Sequence, residues 1–174
     1  FTILGSDSDL NWFRGKIKER FEVKFRGRIG PGAKDDKSIR LLNRVFEWTD
    51  DGIVIEADQR HAELIVQDLG FNSKSNSGGS PGVNLKSSEE DLEELSGDLS
   101  TLYRACVARS NYLSQDRSDI QYATKEMSRK MSKPVKDDWL KLKRLARYLI
   151  DKTRLRVLFQ YQSKPKPIEV YVDT

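Results

Sequence analysis

The chain has 174 residues, 37% of them hydrophobic and 33% charged, with a formal net charge of +4. That length supports one domain or two small ones, with a surface-rich character suited to an elongated object or a piece of a larger protein. One cysteine, Cys106, excludes an intrachain disulfide, and with one histidine, His61, a His/Cys metal cluster cannot be assembled. No apolar run approaches the ~20 residues of a membrane span, so no membrane partner is expected.

The charge is unevenly placed. Residues 1–70 carry 12 Lys+Arg against 13 Asp+Glu, residues 71–100 carry 2 against 6, and residues 101–174 carry 17 against 8. A basic C-terminal half favours a polyanionic partner, most simply nucleic acid, while an ordinary lysine surface spread for solubility accounts for the charge equally well.

In chain order, Phe1 to Gly5 reads as a short strand, followed by the possible N-caps Ser6 to Asp9. From Leu10 a helix places Phe13, Ile17 and Phe21 on one face. Glu22 to Arg26 alternates like a strand and ends in a glycine cluster. That cluster, Gly27 to Gly32, lacks the Gly-Lys-Ser/Thr of a phosphate loop. Leu41 to Trp48 and Ile53 to Glu56 read as two strands joined by a hairpin, with the Asp51-Gly52 pair supplying positive φ. Asp58 opens a helix with Ala62, Ile65, Val66 and Leu69 on one side, and Gly70 closes it. His61, near its start, reads as a surface residue.

Residues 71–97 form an acidic linker, rich in Ser, Asn and Gly up to residue 88. Three amphipathic helices follow. Leu99, Leu102, Tyr103, Cys106, Val107, Ser110 and Leu113 mark the first. Ser118 and Gln121 fit a capping box for the second, lined by Ile120, Ala123, Met127 and Met131. Pro134 stops the pair. The third runs from about Val135 to Asp151, burying Trp139, Leu142, Ala146, Leu149 and Ile150. On it Lys136, Lys143 and Arg147 share nearly one meridian, with Arg144 offset, and Arg104, Arg117 and Arg129 could extend the cationic field across the bundle. Such a stripe can follow a phosphate backbone, or be a solvated helix face whose lysine stems cover the edges of the core. Leu155 to Tyr161 and Ile168 to Val172 read as strands joined by Lys164-Pro165-Lys166-Pro167. Asp173 ends the second, either as a plain strand end or as one ligand of a magnesium site shared among strands.

The order Tyr103-Arg104, Tyr112-Leu113, Arg117-Ser118-Asp119-Ile120, Ala123, Ser128-Arg129-Lys130-Met131, Pro134, Trp139, Lys143-Arg144 and Arg147-Tyr148-Leu149 resembles the segment after the polymerase palm in copia-type retrotransposon reverse transcriptases. Phe21 to Lys24 and the hairpin with its following helix are similar to the upstream part of that family, more loosely. The pattern departs from it at Val23 to Gly27, at Leu42 to Phe46, and at Ser118, where the family usually has proline.

The resemblance implies an α+β chain in four parts. Residues 1–70 would be the end of a palm (a βαβ unit, a primer-grip-like hairpin and a helix). Residues 71–97 would be a linker, 98–152 a helical thumb or connection, and 153–174 the first strands of a ribonuclease H-like domain. It implies a polyprotein fragment that helps hold an RNA/DNA primer–template beside the remaining polyprotein domains. The polymerase aspartates would lie before Phe1, so no catalytic polymerase residue falls within the chain, and the chain alone would be inactive. Asp173 would be the first ribonuclease H metal ligand. Magnesium would serve the parent enzyme, with no cofactor for the fragment and no small-molecule cofactor. The location would be a cytoplasmic particle and the nucleus. From another class stands a self-contained basic helical nucleic-acid-binding module, and beside it an inactive pseudogene product.

Overall fold

The computed structural model describes residues 2–82 and 92–162. It is an α+β fold in which a four-stranded antiparallel sheet adjoins a bundle of four helices. The expected strand over Ile168 to Val172, and Asp173 with it, lie outside the described residues.

Helix α1 (Asp7–Arg20) begins at Ser6, whose hydroxyl accepts from the Asp9 amide at 3.3 Å. It buries no residue. Phe13 and Ile17 are half-buried, while Phe21 caps the helix and is exposed. The strand expected before it is not formed over residues 2–5, and Glu22 to Arg26 is not a strand either. Tertiary contacts override the alternation there. Phe25 lies beneath the Arg14 guanidinium, 4.5 Å from its ring centre. The chain then folds into a loop in which the Asp36 carboxylate accepts from the Arg28 amide at 3.2 Å and the Asp36 amide donates to Arg28 O at 2.8 Å. The first βαβ unit is therefore absent from the described residues, and α1 leads directly into an antiparallel meander.

Strands β1 (Ser38–Leu41), β2 (Arg44–Trp48) and β3 (Gly52–Glu56) pair in sequence order. The break within the stretch read as one strand is a two-residue turn at Leu42 and Asn43. Their φ values of 50° and 64° provide the left-handed conformation that such a hairpin needs. Asn suits that conformation; Leu does not, and so the turn was not visible in the sequence. The second turn was, but for another reason than its glycine's φ. Thr49 closes it, its amide and hydroxyl both donating to Gly52 O, at 2.9 and 2.8 Å. Gly52 is not among the positive-φ glycines.

Gly52 instead makes room for a neighbour. Strand β4 (Arg156–Gln160) pairs antiparallel with β3, with Val54 opposite Leu158 and Gly52 opposite Gln160. A Cβ on Gly52 would stand 2.1 Å from Phe159 O. Gly52→Ala should therefore separate the two strands at that end, lowering stability by about 2 kcal/mol. Faster amide exchange over residues 156–160 would report the separation.

Strand β4 thus extends the hairpin sheet rather than opening a separate one. Ion pairs accompany the ladder: Arg154 donates to both carboxylate oxygens of Glu56 at 2.7 and 2.9 Å, and Arg156 pairs with Glu47. Hydrogen bonds from Arg154 hold the Glu56 carboxyl below its usual range, outweighing the opposing effect of burial. One face of the sheet is apolar across all four strands, in the row Ile39, Phe46, Ile55 and Val157.

The core lies in the helices. α2 (Gln59–Asp68) starts at Asp58, whose carboxylate accepts from the Arg60 amide at 3.0 Å, and ends before Gly70, at φ 75°. α3 (Gly97–Ser114), α4 (Ser118–Ser128) and α5 (Lys136–Ile150) complete the bundle. Buried residues include Ala62, Ile65, Tyr103, Cys106, Val107, Leu113, Ile120, Met127, Leu142, Leu145 and Leu149. Nearly all stand where the helical spacing puts them; Thr124 and Leu145 are buried in addition, while Leu99 is exposed. The Tyr103 hydroxyl donates to Met127 O at 2.8 Å, tying α3 to α4. Burial pushes the Cys106 thiol up to about 11, consistent with a packing role.

Candidate nucleic-acid interface

The seven basic side chains singled out in the sequence separate into distinct environments. Lys143 and Arg147 are one turn apart on α5, the first half-buried and the second exposed. Lys143 Nζ sits 5.7 Å from the centre of the Trp139 ring, and the Arg147 guanidinium 5.4 Å from that of Phe71. Aromatic faces attract cations and brace these long side chains, and neither has an ion pair among the described residues. Phe71 is the first residue of the expected linker. Nearby, the Gly78 amide donates to Arg147 O at 3.1 Å, so this part of the linker is fastened to α5.

Lys136 begins the same stripe and is engaged. Its ammonium pairs with Glu93, its amide donates to Glu93 O at 3.0 Å, and the neighbouring Lys133 pairs with Glu94 at 2.6 Å. An antiparallel bridge between Glu94 and Val135, with the Leu95 amide on Pro134 O at 3.0 Å, holds the acidic segment against the start of α5. Arg129 is exposed and pairs with Glu126 at 3.3 Å. Arg104 is exposed, but its guanidinium donates to Met131 O and Ser132 O at 2.8 and 3.1 Å, closing the end of α4.

Arg117 must be withdrawn from the phosphate-facing set. It is fully buried, and its guanidinium donates to both oxygens of Asp119, at 2.9 and 2.7 Å, and to Lys152 O at 2.7 Å. Tyr148 donates to the same Asp119 at 2.9 Å. This network joins the start of α4 to α5 and the chain beyond it. It also replaces the expected capping box: Arg117, not Ser118, is the cap residue of α4, and the Gln121 amide group donates back to Ser114 O at 3.0 Å. Arg144 lines a cleft between α4 and α5.

His61, expected at the surface, is half-buried. Its ring packs on Tyr112 at 4.6 Å, and Nε2 lies 3.6 Å from Asp58. Arg44 also lies over the Tyr112 ring and forms an ion pair with Asp116. This cluster joins the hairpin to α2 and α3, and only its tertiary setting reveals it.

Among the described residues no group of three or more His, Cys, Asp or Glu is placed to hold a metal ion, and no helix is long and apolar enough to cross a membrane. No family model, curated protein or solved structure matches the chain.

Proposed function

We propose that this chain is part of a copia-type reverse transcriptase polyprotein and that its helical block holds a primer–template by the phosphate backbone. The motif order from Tyr103 to Leu149 supports the family, and α3, α4 and α5 are the elements that carry it. The observation that carries the interface is the pair Lys143 and Arg147, one turn apart on one helix and braced on Trp139 and Phe71, with Lys143 half-buried and Arg147 exposed. Such contacts fix a duplex in place and carry no base information. In this reading the hairpin of β2 and β3 serves the primer end. Magnesium and its carboxylates belong to other segments of the polyprotein, with Asp173 as the one candidate ligand in this chain.

Titration with an RNA/DNA hybrid and with duplex DNA of unrelated sequences tests the proposal. Affinity should be indifferent to sequence and fall linearly on a log–log plot against salt. Binding that ignores salt, or discriminates strongly between sequences, would count against it.

A further inference from the structure

The open cleft between α4 and α5 has a volume of about 390 Å³, and its apolar and aromatic lining is Pro81, Tyr122, Ala123 and Met127. That is a volume in which small ligands are commonly held. Its charged groups are unequal. Asp119 is taken by Arg117 and Tyr148, Glu126 is paired with Arg129, and Lys141 is paired with Asp137 at 2.6 Å. Arg144 alone has its Nε shut from solvent with no hydrogen-bond partner among the described residues. A buried donor without an acceptor is costly, and a ligand or a water that accepts from it removes the cost. The other three charged groups are paired, so that among the described residues Arg144 is the one charged side chain lining the cleft without an ion pair, and it lies beside an exposed aromatic ring, since Tyr122 is 69% exposed.

We propose that this cleft binds a single nucleotide, its phosphate on Arg144 and its base against Tyr122. The guanidinium fork matches phosphate geometry, and the apolar wall offers a planar group a stacking surface. A free nucleotide and the terminal nucleotide of a strand share this chemistry. The site is separate from the Lys143–Arg147 stripe, so either can fail while the other stands.

The test is an NMR titration of the whole chain with deoxyadenosine 5′-monophosphate, following the Tyr122 and Ala123 amides. Saturable shifts are expected, with deoxyadenosine and inorganic phosphate each binding more weakly than the nucleotide. Arg144→Gln should weaken binding roughly tenfold, and Tyr122→Ala, at an exposed position, should weaken it without affecting the fold. Displacement of the nucleotide by a 5′-phosphorylated oligonucleotide, but not by its 5′-hydroxyl counterpart, assigns the site to a strand end; no displacement assigns it to the free nucleotide. Absence of saturation, equal affinity for nucleoside and nucleotide, or a folded Arg144→Gln variant that binds as the parent does would overturn the proposal.

Discussion

Replacing Arg117 with methionine should destabilise the chain by about 3 kcal/mol, more than any other single change to a basic residue of the helical block. Methionine fills part of the volume but donates nothing. Asp119, with 22% of its side chain exposed, would keep the Tyr148 hydroxyl and a backbone amide but lose its countercharge, and Lys152 O would lose its donor. The loss is thus a partly buried carboxylate without its countercharge plus an unsatisfied carbonyl, and both costs fall at the joint between α4, α5 and the approach to β4. Urea unfolding followed by far-UV circular dichroism measures it. A loss below about 1 kcal/mol would mean that the Arg117 network adds little beyond what an exposed ion pair contributes.

The same network predicts how that gap depends on pH. Burial alone would raise the Asp119 carboxyl, but the hydrogen bonds from Arg117 and Tyr148 and the charge of Arg117 outweigh it and hold the group below its usual range. A carboxyl lowered in the folded state adds stability above its unfolded pKa and loses it as pH falls through the folded value. The stability difference between the parent and Arg117→Met should accordingly be full at neutral pH and shrink on acidification below the ordinary aspartate range. A gap that is constant or grows with acid would place the effect in packing rather than in the ion pair.

Arg117 also shows where sequence reading reaches its limit. Composition reveals that residues 101–174 are basic, and periodicity finds α3, α4 and α5 with most of their buried faces, because a helix repeats its core contacts every three or four residues. Neither reveals whether a given cation faces solvent. Arg117 falls at a helix start, where a charged residue is ordinarily exposed, and only the convergence of Asp119, Tyr148 and Lys152 O makes its burial tolerable. Strands were harder. Glu22 to Arg26 has the alternation of a strand without a partner to pair with, whereas β1 was missed because its register depends on a turn through Leu42, a residue that carries no turn signal. Sheet membership of β4 rests on its ladder with β3, with ion pairs to Glu47 and Glu56 beside it, roughly a hundred residues away, and a local pattern cannot contain that information. Likewise Glu93 and Glu94 read as a solvated acidic stretch, yet their partners are Lys136 and Lys133.

Charge reversal at Lys143 and Arg147 should weaken duplex binding on the order of a hundredfold at low salt and reduce the salt slope by about 1.8, the share of two phosphate contacts. The two aromatic contacts are lost as well, so a Lys143→Gln/Arg147→Gln variant, neutral rather than repulsive, separates folding effects from charge. It should show the reduced slope with a smaller loss of affinity. The acidic segment supplies a change of opposite sign. Glu93 and Glu94 already occupy Lys136 and Lys133, and a phosphate backbone approaching the start of α5 must displace them. Glu93→Gln/Glu94→Gln should therefore tighten duplex binding roughly fivefold at low salt, an effect that fades as salt screens the exposed pairs. Loss on one pair and gain on the other, both vanishing at high salt, is the signature of polyanion contact along a single helix. If reversal at Lys143 and Arg147 left binding unchanged while the chain stayed folded, this part of α5 would be an ordinary solvated surface, and the cationic excess of residues 101–174 would belong to solubility.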